Sequence, residues 1–211
     1  INMFLQPLYS KPLYGVELDF DTKPIVSYLT EDKFKPRSFD IGLGQSNNMG
    51  ILEEPEFADL RIVLQKEFDK FAKEQMAYSN KFEITTSWVT EAKTGQASRF
   101  HNHNNCMWSG CFYLQVDENT GDIVFQDFND KRYMLNVTEN NILNSWMWTI
   151  KPVKGMFLIW PAEVYHKIMT NNSKMNRYSL AMNFMPVGHM GDLDGDSQVI
   201  QRLEKINVQT N

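Results

Sequence analysis

From residue 83 onward the chain reads as a succession of short apolar runs, each five to ten residues long, cut by turn signals every eight to twelve residues. The runs lie near 83–91, 107–116, 122–127, 131–137, 144–150, 156–160, 163–169 and 177–185. Asn119-Thr120-Gly121, Asn129-Asp130, Lys154-Gly155 and Asn171-Asn172-Ser173-Lys174 separate them. Many short strands at this spacing can bury their apolar faces only as a sandwich or a barrel. The aromatic content, 14 Phe, 8 Tyr and 5 Trp, favours the same extended structure.

The first part of the chain reads as support for that core. Leu13 to Leu18 predicts a strand, and Thr22 to Leu29 a short helix with Pro24 in its first turn. Residues 37–53 hold Gly42, Gly44, Asn47, Asn48 and Gly50 and read as a loop. The strongest helix spans 55–78: Phe57, Leu60, Leu64, Phe68 and Phe71 recur at steps of three and four. Such a stripe predicts a scaffold helix lying on a sheet. One domain over 1–211 results: support over 1–82, β-core over 83–186 and a C-terminal extension over 187–211. In that extension 188–198 is polar and mobile in this reading, and 199–208 is a short helix or strand.

A net charge of −5 argues against nonspecific nucleic-acid binding, which depends on Lys and Arg neutralising phosphates. Cys106 and Cys111 lie an odd number of residues apart, on opposite faces of a strand, so they read as free thiols of a cytoplasmic protein. No run approaches the ~18 apolar residues of a membrane helix, and no signal peptide is visible.

Chemistry concentrates in three of the four histidines. His101 and His103 form an H-x-H pair, and His166 follows in Trp160-Pro161-Ala162-Glu163-Val164-Tyr165-His166. Side chains two apart on an extended chain face one way, so both imidazoles converge on one point. A third histidine from another strand completes a facial set and leaves coordination positions open, as a catalytic metal requires. Arg177 and Ser179, also two apart, pair a guanidinium with a hydroxyl, a receptor suited to a carboxylate. His189 stands in a loop-like Gly188-His189-Met190-Gly191 and is not read as a ligand. Asp192 to Asp196 begins like a calcium loop, but its glycine is misplaced and position twelve is Leu203.

Taken in order, these motifs resemble the iron(II)/2-oxoglutarate-dependent dioxygenases. More narrowly, they are similar to a branch of small proteins found in marine bacteria and their phages. The resemblance covers roughly 84–186. It rests on His101-Asn102-His103, Ser109-Gly110-Cys111-Phe112-Tyr113-Leu114, Gly121 to Phe125, Pro152 to Phe157, Pro161 to His166 and Arg177 to Phe184. It implies a mainly β fold with flanking helices, a double-stranded β-helix of jelly-roll, cupin-like type. Fe(II), 2-oxoglutarate as co-substrate and O2 are the implied cofactors, and hydroxylation of a small molecule or peptide side chain the implied reaction. Iron ligands would be His101, His103 and His166. The far carboxylate of 2-oxoglutarate would pair with Arg177, supported by Ser179, with Tyr113, Asn105 and Asn183 as further cofactor-binding residues.

The superfamily's usual H-x-[DE] carries a carboxylate where this chain has His103. Either His103 ligates in a three-histidine set, the favoured reading, or it turns away and water or chloride fills the position. A cupin not using 2-oxoglutarate and a non-enzymatic jelly roll are the competing readings. Loops 37–53 and 138–147 are candidate lids. The reading admits a homodimer and leaves the substrate open.

Overall fold

A computed structural model describes residues 3–37, 40–128, 135–191 and 198–203. Its strands are β1 (Tyr14–Glu17), β2 (Phe34–Pro36), β3 (Gly44–Ser46), β4 (Lys81–Ala92), β5 (Trp108–Gln115), β6 (Ile123–Gln126), β7 (Met147–Ile150), β8 (Met156–Pro161), β9 (Tyr165–Ile168), β10 (Arg177–Met190) and β11 (Val199–Gln201). Two α-helices, α1 (Lys23–Tyr28) and α2 (Ala58–Lys70), precede β4. The large sheet runs β1-β8-β5-β10-β4-β3-β2, with β11 added to the far end of β10. The small sheet runs β7-β6-β9. All recorded pairings within these sheets are antiparallel, and the two sheets enclose the interior of a double-stranded β-helix.

Alternation along the central strands explains how both faces of the large sheet become buried. On β10, Tyr178, Leu180, Met182 and Phe184 face one cluster; on β5, Trp108, Phe112 and Leu114 join it. Helix α2 covers that face with Leu60, Leu64 and Phe68, and Phe68 stacks on Phe184 at 3.7 Å between ring centres. Burying each such side chain contributes roughly 1.5–3 kcal/mol. The opposite face of β5 sends Cys111 and Tyr113 toward Ile123, Phe125, Leu158 and Trp160. Gly110 lies where β-carbon atoms would crowd: one built there comes within 3.0 Å of Phe157 and 3.1 Å of Phe184. Gly155, at φ +84°, turns β8 where a side chain would lie 2.7 Å from the Leu18 carbonyl oxygen.

The predicted α2 stripe is buried from Phe57 to Phe71, though its ends depart from α geometry. A 3₁₀ turn (Pro55–Phe57) leads in and a π-helical turn (Phe71–Gln75) leads out. Helix α1 starts after Thr22 with Pro24 in its first turn, as read, but the Thr22 side chain makes no capping bond.

Several expectations need correction. Of the loop expected over 37–53, residues 38 and 39 lie outside the described residues, and 40–53 are not a free loop. β3 pairs with β4, and Leu43, Ser46, Ile51 and Leu52 are buried. The Ser46 hydroxyl accepts the Val89 N–H at 3.0 Å, and the Ser87 hydroxyl accepts the Leu52 N–H at 3.0 Å. Glycines and asparagines there shape a docked wall. Of the strand expected at 131–137, residues 131–134 lie outside the described residues, and 135–137 are not a strand. β10 continues past 185 to Met190, because β4 and then β11 offer it partners that composition does not reveal. The turn at Asn129-Asp130 and the calcium-like run 192–196 lie outside the described residues, as do 204–208 of the run 199–208, in which Val199–Gln201 is a strand.

Candidate metal centre

The isolated bridge between His101 and His166 brings the three histidines together. Each donates its main-chain N–H to the other's carbonyl oxygen, at 3.0 and 2.8 Å. The His103 N–H donates to the Ala162 carbonyl oxygen at 2.9 Å. The H-x-H segment is thus extended and tied to the chain entering β9, although it is not a full strand. Its two imidazoles point the same way, and one ring nitrogen from each of the three residues lies within 4.8 Å of the others. Among the described residues no carboxylate joins this group.

Hydrogen bonding leaves one nitrogen free on each ring. Nδ1 of His101 lies 3.0 Å from the Arg99 carbonyl oxygen, and Nδ1 of His166 lies 3.1 Å from that of Val164. A carbonyl oxygen only accepts, so both Nδ1 atoms carry the proton and both Nε2 atoms present a lone pair. Nδ1 of His103 lies 2.7 Å from Oδ1 of Asn183 and 2.8 Å from the Ser109 hydroxyl. The Asn183 amide is itself held, donating to the Thr86 hydroxyl at 2.8 Å. Outer hydrogen bonds of this kind fix the ring orientation of metal-binding histidines. Trp160 packs on His166 and Trp88 on His103, at 4.9 and 5.4 Å between ring centres.

Burial lowers the pKa of all three rings: His101 modestly, His103 to about 4, and His166 well below the usual range. Desolvation is the main cause; Arg37 adds to all three, and neighbouring imidazoles add to His103 and His166. At neutral pH the cluster is uncharged, the state a cation requires.

On β10 the same alternation that buries Leu180 and Met182 turns Arg177, Ser179, Ala181 and Asn183 inward. Two register shifts fall on this face, at Tyr178/Ser179 against β5 and at Asn183/Phe184 against β4. Bulges re-aim side chains in this way beside many sites. Arg177 is only 1% exposed, yet Nε, Nη1 and Nη2 have no hydrogen-bond partner. Buried arginine is normally paired, because an isolated charge in a low-dielectric interior is expensive. The Tyr113 hydroxyl, across from Ser179, is likewise buried without a partner, and the Arg177 guanidinium carbon stands 5.2 Å from its ring centre. Burial pushes the Tyr113 pKa well up, so the phenol keeps its proton and can donate.

These groups share one space. A narrow inner chamber of about 40 Å³, room for a few waters, is lined by His101, His103 and His166 together with Arg177, Ser179 and Cys111. It adjoins an outer cleft of about 650 Å³ bounded by Arg37, Trp88, Phe100, Tyr165 and Asn183. The donor set fits a divalent cation with open positions. The partnerless guanidinium and phenol fit an anion reaching in from that cation.

Residues 86–183 match the family model described as putative 2OG-Fe(II) oxygenase. That segment, 98 of the 211 residues, is similar to the 2OG-Fe(II) oxygenase family. No curated protein matches by sequence. Among solved structures, a prolyl-4-hydroxylase from Pseudomonas putida is similar over 85% of this chain and 95% of its own, at 13% identity and TM-score 0.58. HygX from Streptomyces hygroscopicus, with nickel and 2-oxoglutarate bound, is similar over 91% and 93%, at 10% identity and TM-score 0.58. The non-heme α-ketoglutarate-dependent epimerase SnoN from nogalamycin biosynthesis is similar over 84% and 80%, at 13% identity and TM-score 0.61. These likenesses establish the double-stranded β-helix. Fe(II), 2-oxoglutarate and O2 are the cofactors of the 2OG-Fe(II) oxygenase family.

Of the residues singled out in the sequence, His101, His103, His166, Arg177, Ser179, Tyr113 and Asn183 are gathered around this interior. Asn105 is not. It is exposed, stands at φ 60° and lines neither chamber; its part is the left-handed turn that asparagine tolerates. His189 lies at the far end of β10, where its carbonyl oxygen accepts from Asn80 at 2.7 Å. Ser109, Thr86, Trp88 and Arg37 were not assigned roles from sequence. Ser109 alone had a signal, its position two residues before Cys111 on the strand that follows H-x-H. Both cysteines are free, as expected. No helix among the described residues is long and apolar enough to cross a membrane.

Proposed function

We propose that this protein is an Fe(II)- and 2-oxoglutarate-dependent hydroxylase with a three-histidine metal site. The observation that carries this reading is Arg177, a buried guanidinium without partners, in the same chamber as three neutral imidazoles with free nitrogens. His101, His103 and His166 would hold the ion through Nε2. Arg177 would take the far carboxylate of 2-oxoglutarate in a forked pair, with Ser179 and the Tyr113 hydroxyl donating beside it.

When bound, the iron supplies the oxidative decarboxylation of 2-oxoglutarate and the oxidation of a substrate C–H bond. What the chain adds is placement and dryness. Asn183, Ser109 and the carbonyls of Arg99 and Val164 hold the ring protons on Nδ1. Trp88, Trp160 and Ile168 wall the inner chamber and exclude water from the reacting end. The substrate enters through the outer cleft. A cytoplasmic location and action on a small molecule or peptide side chain belong to the same proposal.

The test is anaerobic loading with Fe(II), then measurement of succinate formed from 2-oxoglutarate in air. Wild type turns over 2-oxoglutarate slowly even without substrate. His166→Ala loses bound metal and turnover together. Metal content unchanged in that variant, or iron-loaded wild type producing no succinate, defeats the reading; the latter result would leave a cupin of other chemistry.

A further inference from the structure

Four residues line both the inner chamber and the outer cleft: Arg37, Trp88, His101 and His103. Of these only Arg37 is charged, and the chemistry assigned above gives it no role. It is held in place. Its main-chain N–H donates to the carbonyl oxygen of the buried Leu43 at 2.9 Å. Its Nε lies 3.2 Å from Oδ2 of Asp40. Asp40 is buried in turn, and its Oδ1 accepts the Arg99 N–H at 3.2 Å. An ion pair, without a hydrogen bond to Oδ2, thereby holds one edge of the guanidinium beside Asp40. Among the described residues its Nη groups have no hydrogen-bond partner, and the side chain remains 25% exposed.

The charge balance of the site leaves room for one more anion; this step rests on the function proposed above. Three imidazoles contribute no charge to the metal. The positive charges of a divalent ion, Arg177 and Arg37 exceed the negative charges of Asp40 and 2-oxoglutarate. A surplus charge in a partly desolvated cleft is costly unless a ligand offsets it. The outer cleft contains no Asp, Glu or Lys among its lining residues, so no carboxylate there repels an anion; the nearest other cation on record is Lys167, whose Nζ lies 4.7 Å from the Phe100 ring centre. Beside His101 and His103, the cleft's lining includes three aromatic side chains (Trp88, Phe100, Tyr165), the amides of Gln45, Asn102, Asn104 and Asn183, and Met49 and Thr86. Its volume, about 650 Å³, is that of a small-molecule site.

We propose that Arg37 is a specificity-determining residue: it receives an oxyanion, carboxylate or phosphate, of a small substrate whose body lies against Trp88, Phe100 and Tyr165. The fork that Asp40 leaves open suits either oxyanion.

The experiment uses wild-type protein loaded with Mn(II) and saturating 2-oxoglutarate, with benzoate, phenyl phosphate and benzamide as probes and calorimetry as the readout. At least one anion should bind about tenfold more tightly than benzamide. The stronger of the two identifies the oxyanion source. Arg37→Gln should bring the preference below about threefold, and Arg37→Lys should retain part of it, as a point charge without the fork does. The double variant Arg37→Gln/Asp40→Asn should show the same loss without leaving an unpaired buried carboxylate. The proposal is overturned by equal binding of all three probes to wild type. It is also overturned by a preference that survives in both glutamine variants, or by anions that simply raise the 2-oxoglutarate Kd, which would place them at Arg177. Absence of metal-dependent 2-oxoglutarate binding in wild type is a separate failure, that of the function proposed above.

Discussion

At the scale of single residues the telling feature is a charge the fold leaves uncompensated. Arg177 is buried with three nitrogens unpaired, and proteins keep such a group only where a ligand completes it. The same fact sets function against stability. Arg177→Gln removes the forked pair to the co-substrate, a loss of about 2–3 kcal/mol for charge-assisted bonds, so the 2-oxoglutarate Kd should rise roughly 30- to 150-fold. It also removes a desolvated charge from the ligand-free protein. The ligand-free variant should therefore unfold at a higher temperature than wild type, by about 1–3 kcal/mol of stability before any chamber water is allowed for. Metal affinity should not change, since Arg177 touches none of the three imidazoles. Calorimetric titration and thermal unfolding decide the matter. A variant that is less stable and binds 2-oxoglutarate normally would show that Arg177 is an ordinary core residue.

At the scale of elements, β10 organises the site. One face gives Tyr178, Leu180, Met182 and Phe184 to the core under α2. The other gives Arg177 and Ser179 to the inner chamber and Asn183 to His103. Asn183→Leu keeps the side-chain size but removes the acceptor that holds the His103 proton on Nδ1, leaving only the Ser109 hydroxyl. Metal affinity should fall about 10- to 100-fold, with β10 still paired and the secondary structure unchanged by circular dichroism. Unchanged metal affinity would mean that Ser109 alone orients the ring. This strand was largely legible in the sequence, because period-two spacing shows which residues share a face without any knowledge of partners. Arg177-x-Ser179 and His101-x-His103 were read on that basis. The wall from Asp40 to Glu53 was not. Its glycines and asparagines look like those of any loop, and its docking depends on Ser46 and Ser87 bonds to residues 35–43 positions away in sequence. Arg37 was hidden for the same reason: a lone arginine in a polar segment has no periodicity. Asn105 was misassigned because proximity to H-x-H in sequence does not survive the turn that follows it.

At the scale of the whole molecule, building the site into the interior makes the metal-free protein sensitive to mild acid. The unfolded chain takes up protons on His101, His103 and His166 as pH falls below about 6.5. The folded chain, with all three rings lowered by burial and His103 and His166 the most, does so only at lower pH. The unfolded state then binds more protons, so stability that is complete above pH 6.5 declines as pH falls toward the folded values. For His103 alone the gap between 6.5 and about 4 corresponds to about 3 kcal/mol. Carboxylates whose pKa the fold lowers, such as Asp117 beside Ser173 and Glu31 beside Lys93, begin from already lower values and act chiefly below this window. Urea unfolding of metal-free protein at pH 7.5, 6.0 and 5.0 should therefore show a falling free energy, most of it lost between 6.0 and 5.0. Replacing His103 by Leu should flatten part of that dependence. Saturating Mn(II) should raise stability at pH 7.5, because an ion bound only by the folded state adds to it by mass action. That gain should shrink as acid protonates the same nitrogens. A stability curve flat from pH 7.5 to 5.0 in metal-free wild type would mean that the imidazoles are wetter than their burial indicates.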